Sequence, residues 1–205
     1  DDGDTSSATL TITVNDNDLP PAAANDTNTA TEAGLDATGN VITDADDAAV
    51  GRAVARLTSR VFLDLDEAIE QRTGMSIPEI FSTRGEAGFR RVEHAELKAA
   101  TERANLVVAT GGGAFSSAVN RRLIEDSGGI SVYLDPPWSV IERRLEGETG
   151  HRPNWVDGDQ ARALYEARAD DYRMSAIHLR IDGGETPEAI AGRIEAALTE
   201  TACVS

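Results

Sequence analysis

A chain of 205 residues can bury one sizeable α/β core and carry a short appendage. Its formal charge of −17 argues against a nucleic-acid surface, and no apolar run reaches the length of a membrane span. The one cysteine, Cys203, excludes an internal disulfide framework, and its place near the end of the chain argues against a catalytic role.

The charge is unevenly spread. Up to Val50 there are eleven acidic residues and no Lys or Arg, a break that reads as a junction near residue 48. The first residues are acidic where a secretory leader would be basic, so no leader is expected. SATLTITVNDND alternates Leu10, Ile12 and Val14 with threonines, the pattern of one half-buried strand running into an Asn/Asp turn. Beyond Pro20 and Pro21 the stretch is too poor in apolar residues to fold alone. TLTITVND followed by GNVITDAD resembles the junction of acidic β-sandwich repeats in bacterial adhesins of the VCBS or cadherin-like kind. That resemblance implies Asp16, Asp18, Asp44, Asp46 and Asp47 as candidate calcium ligands; the alternative is a solvated acidic tail. The expected organisation is an irregular or loosely β arm over 1–47, a folded domain over 48–200 and a tail over 201–205.

From Val50 the texture changes. VGRAVARLTSR sets Val50, Ala53, Val54 and Leu57 on one face of an amphipathic helix. VFLDLD reads as a short strand ending in two acids. Asp66 to Arg72 is helical and stops at Gly74, Ser76 caps a short turn at IPEIF, and Gly85 to Arg103 forms a long helix. The unalternating run Leu106, Val107, Val108, Ala109 predicts a strand buried on both faces. It ends in Gly111, Gly112 and Gly113, which offer bare N–H groups ahead of a helix expected from Phe115 to Asp126. The rest reads as a strand at ISVYLD, a helix from Trp138 to Leu145, a polar loop over Gly147 to Gly158 and a helix from Asp159 to Arg173. A strand at IHLRID and a helix capped by Thr186 complete the chain. Strands alternating with helices in this way predict a parallel sheet with helices on both faces.

Several side chains then suggest chemistry. Asp64 and Asp66, two apart on an extended strand, share a face at its carboxyl end, where one can hold a hydrated metal and the other accept a hydroxyl proton. Arg90 and Glu93 are three apart on a helix, so the carboxylate can orient the guanidinium for an anionic substrate. Arg168 and Tyr172 stand at i and i+4. Arg152 and Pro153 lie in the long loop, where an arginine can close over phosphates. His94, His151 and His178 show no metal-ligand spacing.

Taken together, FLDLDEAIEQRTGMSIPEIFSTRGEAGFRRVE, ATGGG, HRP and LYEARADDY are similar in order and spacing to the shikimate kinases, a branch of the P-loop kinases related to the nucleoside-monophosphate kinases. The resemblance spans about Val50 to Leu198. It implies a three-layer α/β/α parallel-sheet fold and phosphoryl transfer from ATP to shikimate, with Mg2+, on the route to aromatic amino acids. It implies that Asp66 engages the receiving hydroxyl, that Arg90 and Arg168 bind the substrate carboxylate, and that Gly111, Gly112 and Gly113 complete the pocket. Asp64 would stand near magnesium, Glu93 would steady Arg90, and Arg152 would reach the transferred phosphate. Arg144 and Asp182, in the loop DGGETP, would flank the adenine. A cytoplasmic monomer acting on a small molecule, without nucleic acid or membrane, is implied too.

The part of the family pattern that handles ATP is missing. A loop of the form GxxGxGK[ST] belongs immediately before VGRAVARL, its N–H groups cradling phosphate, its Lys neutralising charge and its hydroxyl holding magnesium. This chain reads TGNVITDADDAA there. Asp47 stands where the Lys belongs, Ala48 where the hydroxyl residue belongs, and Asp44 and Asp46 where glycines belong. Lys98 is the only lysine and lies mid-helix. Val41 and Ile42 are expected to supply a makeshift central strand. The expectation is an intact substrate half beside an impaired nucleotide half, in a kinase whose first strand and phosphate loop are replaced or in a shikimate-binding chain without turnover.

Overall fold

The computed structural model describes residues 10–14, 47–147 and 158–202. Its sheet contains β1 (Leu10–Val14), β2 (Val61–Asp64), β3 (Leu106–Thr110), β4 (Ile130–Asp135) and β5 (Ile177–Arg180). All neighbours are parallel, in the order β2-β3-β1-β4-β5. Around it lie α1 (Asp47–Leu57), α2 (Leu65–Thr73), α3 (Ile77–Thr101), α4 (Gly112–Ser116), α5 (Ala118–Asp126), α6 (Trp138–Gly147), α7 (Gly158–Tyr172) and α8 (Pro187–Ala202). The three-layer parallel architecture expected from the alternation of elements is present.

The layers follow from the two faces of the strands. Val107, Val132, Leu134 and Ile177 pack with Val50, Val54, Ile190 and Ile194 of α1 and α8 on one side. Leu106, Val108 and Tyr133 pack on the other with Leu65, Ile80, Phe89, Phe115 and Tyr172. Every residue of β3 is buried, which is why its sequence is apolar without alternation. α1 lies close on the sheet: a Cβ at Gly51 would stand 2.6 Å from Phe62 Cε2.

The centre of the sheet departs from expectation. β1 is LTITV, with Leu10 beside Val107 on one edge and beside Ile130 on the other. The strand that alternation marked as half-buried thus has ladder partners on both sides. Its parallel pairing also differs from the antiparallel sandwich of adhesin repeats, so the segment 1–47 contributes the central strand to this sheet. Val41, Ile42, Asp16, Asp18, Asp44 and Asp46 lie outside the described residues.

Two helix boundaries differ as well. IPEIF and the helix after it form one element, α3, which bends at Gly85 (φ 66°, ψ 176°), a backbone state essentially restricted to glycine. The expected helix over Phe115 to Asp126 begins earlier, at Gly112, and breaks at Ser117, whose extended backbone (φ −77°, ψ 116°) separates α4 from α5. α2 ends as expected, with Gly74 in the left-handed conformation (φ 65°) and its N–H on the Glu70 carbonyl. No helix among the described residues is long and apolar enough to cross a membrane.

Candidate active site at the carboxyl end of the sheet

Asp64 ends β2 in register with Ala109 of β3, one residue before Thr110 and two before Gly111. The acids of FLDLD and the glycine turn therefore meet at one end of the sheet, where ligands of parallel sheets bind. Asp64 and Asp66 do not share a strand face, contrary to the reading of DLD as extended. Asp64 caps α2 with an extended backbone (φ −88°, ψ 122°), and its Oδ1 accepts the N–H of Asp66 at 3.0 Å and of Glu67 at 3.2 Å. Asp66 lies in the first turn of α2 and is half-buried. Burial pushes the Asp64 carboxyl above its ordinary value of 3.8 and the charge of Glu67 adds to the rise, against the two N–H donors and the Arg52 guanidinium. Arg52 is held nearby by Glu67 at 3.3 Å and lies 4.9 Å from the Phe62 ring centroid.

The paired arginine and glutamate are built on α3. Arg90 Nη1 donates to Glu93 Oε1 at 2.8 Å, and Glu93 is 3% exposed. Glu86, which sequence spacing did not single out, approaches Arg90 Nε at 3.8 Å from the preceding turn. The guanidinium lies against Gly113: a Cβ built there would stand 2.7 Å from Arg90 Cζ. The third glycine of the triplet thus leaves room for the arginine. Gly111 precedes α4, and Gly112 and Gly113 form its first residues. Arg168 is on α7, one turn before Tyr172, which is fully buried and stacks on Tyr133 at 5.2 Å between centroids. Tyr172 shares one apolar cluster with Ala114 and Phe115 of α4, so Arg90, the glycines and the helix of Arg168 converge.

The sequence model of the shikimate kinase family matches residues 48–199. The chain belongs to the shikimate kinase family. It is 40% identical over 147 residues to a shikimate kinase of Prochlorococcus marinus, covering 70% of this chain and 75% of that one. It is 42% identical over 151 residues to one of Halorhodospira halophila, covering 73% and 85%. Among solved structures, shikimate kinase from Acinetobacter baumannii in complex with shikimate superposes with a TM-score of 0.73 at 27% identity, over 96% of this chain and 95% of that one. The enzyme from Aquifex aeolicus gives 0.69 at 26%, over 96% and 100%.

Only part of the chain expected to meet the nucleotide falls within the described residues. Arg152 lies outside the described residues, and Arg144 is on α6. Asp182 is exposed after β5; its Oδ1 accepts the Gly184 N–H at 2.8 Å. Asp182 lines a cavity of about 670 Å³ with Tyr133, Asp135, Tyr165, Arg173 and Arg180. Asp135, missed in the sequence, is the hub of its polar wall. Its Oδ1 accepts from Tyr133 Oη at 3.0 Å and Tyr165 Oη at 3.4 Å, and its Oδ2 stands 2.8 Å from His178 Nε2. Among the described residues, magnesium finds few donors beside Asp64. The Ala48 side chain carries no oxygen, Asp64 Oδ1 accepts two backbone N–H groups, and among the described residues no group of three His, Cys, Asp or Glu is arranged for a metal.

Proposed function

We propose that this chain binds shikimate at the carboxyl end of its sheet and is a shikimate-kinase-type phosphotransferase with a weakened triphosphate site. The observation that carries the reading is the Arg90 guanidinium, held by the buried Glu93 at 2.8 Å and seated against Gly113. An arginine fixed in this way is suited to grip a carboxylate through two parallel N–H donors. Arg168 on the adjoining helix supplies the second cation. Asp66 accepts the proton of the substrate hydroxyl as its oxygen bonds to the γ-phosphorus and ADP departs. Gly111 and Gly112 keep the pocket floor free of side chains, and Asp182 flanks the base together with Arg144. Arg152 reaches the transferred phosphate. In this reading the protein acts on a small molecule as a cytoplasmic monomer.

The weakened half follows from charge. At Asp47 a carboxylate repels the triphosphate that a lysine attracts, and Ala48 has no oxygen to offer. Lys98 lies eight residues beyond Arg90 on α3, roughly 12 Å further along the helix axis, toward the end of α3 that leads into the start of β3. The same two positions favour the second reading, a shikimate-binding chain without turnover. Shikimate-dependent ADP formation from magnesium ATP, with Asp66→Asn as control, decides between them. Activity that disappears in the control supports the kinase with a slow phosphoryl donor site. Activity at the control's level, with shikimate still bound, supports the binding chain, and failure to bind shikimate overturns both.

A further inference from the structure

We infer that the adjacent residues Asn120 and Arg121, at the start of α5, are positioning residues for the substrate carboxylate. They hold the glycine turn in register with the helices that carry Arg90 and Arg168. The inference rests on the shikimate site proposed above.

Asn120 is 2% exposed. Its Nδ2 donates to the Ala114 carbonyl at 2.9 Å, and its Oδ1 lies 2.7 Å from His94 Nδ1. With the amide nitrogen committed to a carbonyl, Oδ1 must accept, so His94 Nδ1 carries the proton. His94 follows Glu93 on α3, and Ala114 follows Gly113 on α4. The bridge therefore closes a ring from Arg90 to Glu93, His94, Asn120, Ala114, Gly113 and back to Arg90. Only an amide of this length offers both a donor for the carbonyl and an acceptor for the imidazole.

Arg121 makes the corresponding tie on the other side. Its Nη1 donates to the carbonyls of Phe115 at 2.8 Å and Ser116 at 2.9 Å, the end of α4, and pairs with Asp171 Oδ1 of α7 at 3.0 Å. Asp171 is three residues past Arg168. α4 is too short to satisfy its own last carbonyls, so these donors determine where it sits. Two neighbouring side chains thus reach from α4 to α3 and to α7, and the spacing of the two carboxylate-binding arginines depends on both.

The test is equilibrium titration with shikimate and with its methyl ester, which lacks the anionic carboxylate, on Asn120→Ala, Arg121→Met, Arg121→Lys and His94→Ala. Asn120→Ala and Arg121→Met are expected to weaken shikimate about tenfold and the ester less than twofold, so that selectivity for the acid collapses. Arg121→Lys, which keeps a donor for the carbonyls, recovers most of the affinity, and His94→Ala loses about threefold. Folded variants that bind shikimate as wild type does, or that lose acid and ester equally, overturn the inference. Should Asn120→Ala fail to fold, His94→Ala and Arg121→Met decide by the same ratio. A wild-type chain that binds no shikimate overturns the site itself; one that binds while the variants bind equally well overturns this inference alone.

Discussion

Alanine at position 113 would put a methyl group where the Arg90 guanidinium now lies. The added Cβ would collide most closely with Nη1, the nitrogen bonded to Glu93, and stand 2.6 Å from Nη2 and 2.7 Å from Cζ, whereas ordinary contact begins near 3.4 Å, so the guanidinium must retreat by more than about 0.8 Å. Glu93 cannot easily follow, because it is buried and bonded to Nη1 at 2.8 Å. A displacement of that size is enough to lose one of two parallel hydrogen bonds to a bound carboxylate. A hydrogen bond to a charged group contributes about 1.5–3 kcal/mol, which corresponds to roughly a 10- to 150-fold weaker Kd. Helix propensity alone favours alanine by about 1 kcal/mol, so the fold should survive the change. Titration calorimetry with shikimate, beside a thermal melt, measures both terms. Gly192→Ala is the control: it lies exposed on α8 with nothing within 4 Å of the added Cβ, and should gain stability without touching affinity. A Gly113→Ala protein that binds shikimate as tightly as wild type would refute the argument.

Other consequences are open to measurement. Glu93→Gln keeps the shape but removes the buried charge that fixes Arg90. Shikimate affinity should fall about tenfold and stability by roughly 1–3 kcal/mol, because removing one partner of a buried ion pair leaves the Arg90 charge less compensated; unchanged affinity would mean that Arg90 needs no orienting partner. The raised pKa of Asp64 has a definite sign. The folded state holds its proton above the ordinary 3.8, so this group's contribution to stability is most favourable below that value and declines as pH rises through the folded pKa. Asp64→Asn can still accept the two cap N–H groups, so denaturant unfolding should find it gaining on wild type from about pH 4 to pH 7. A gap that stays constant with pH would count against the rise. Asp47→Lys combined with Ala48→Ser should tighten magnesium ATP binding by at least tenfold through reversal of one charge and addition of one oxygen; equal affinity would refute the proposal that charge weakens the triphosphate site.

Local features were legible in the chain and distant ones were not. Arg90 and Glu93 could be paired because helical spacing of three brings side chains together whatever the fold, and β3 because continuous apolar character requires cover on both faces. DLD was ambiguous: two acids on a strand end share a face, whereas two acids across a helix start do not, and only the N–H groups captured by Asp64 decide it. The break at Ser117 carries no glycine or proline signal. The bridge from His94 through Asn120 to Ala114 joins residues 26 apart and then six apart, a pairing set by how α3, α4 and α5 pack. Alternation in LTITV identified a strand but could not reveal its neighbours, since period-two patterning says which side chains share a face and nothing about ladder partners.

The position of that strand bears on how the molecule reaches its folded state. Among the described residues β1 is the sole ladder connection between β3 and β4, so without it their sheet falls into two two-stranded ribbons, β2–β3 and β4–β5, each marginal by itself. Its partners stand roughly a hundred residues away along the chain, Val107 on one edge and Ile130 on the other, and such non-local pairings slow folding because closure entropy is lost before the contacts form. During synthesis Leu10–Val14 emerges ahead of β3 and β4, the strands with which it pairs. The glycine turn after β3 and Asp135 at the end of β4 come into register only when both ribbons have captured this early segment, so its capture sets the moment at which the carboxyl ends of β3 and β4 are aligned.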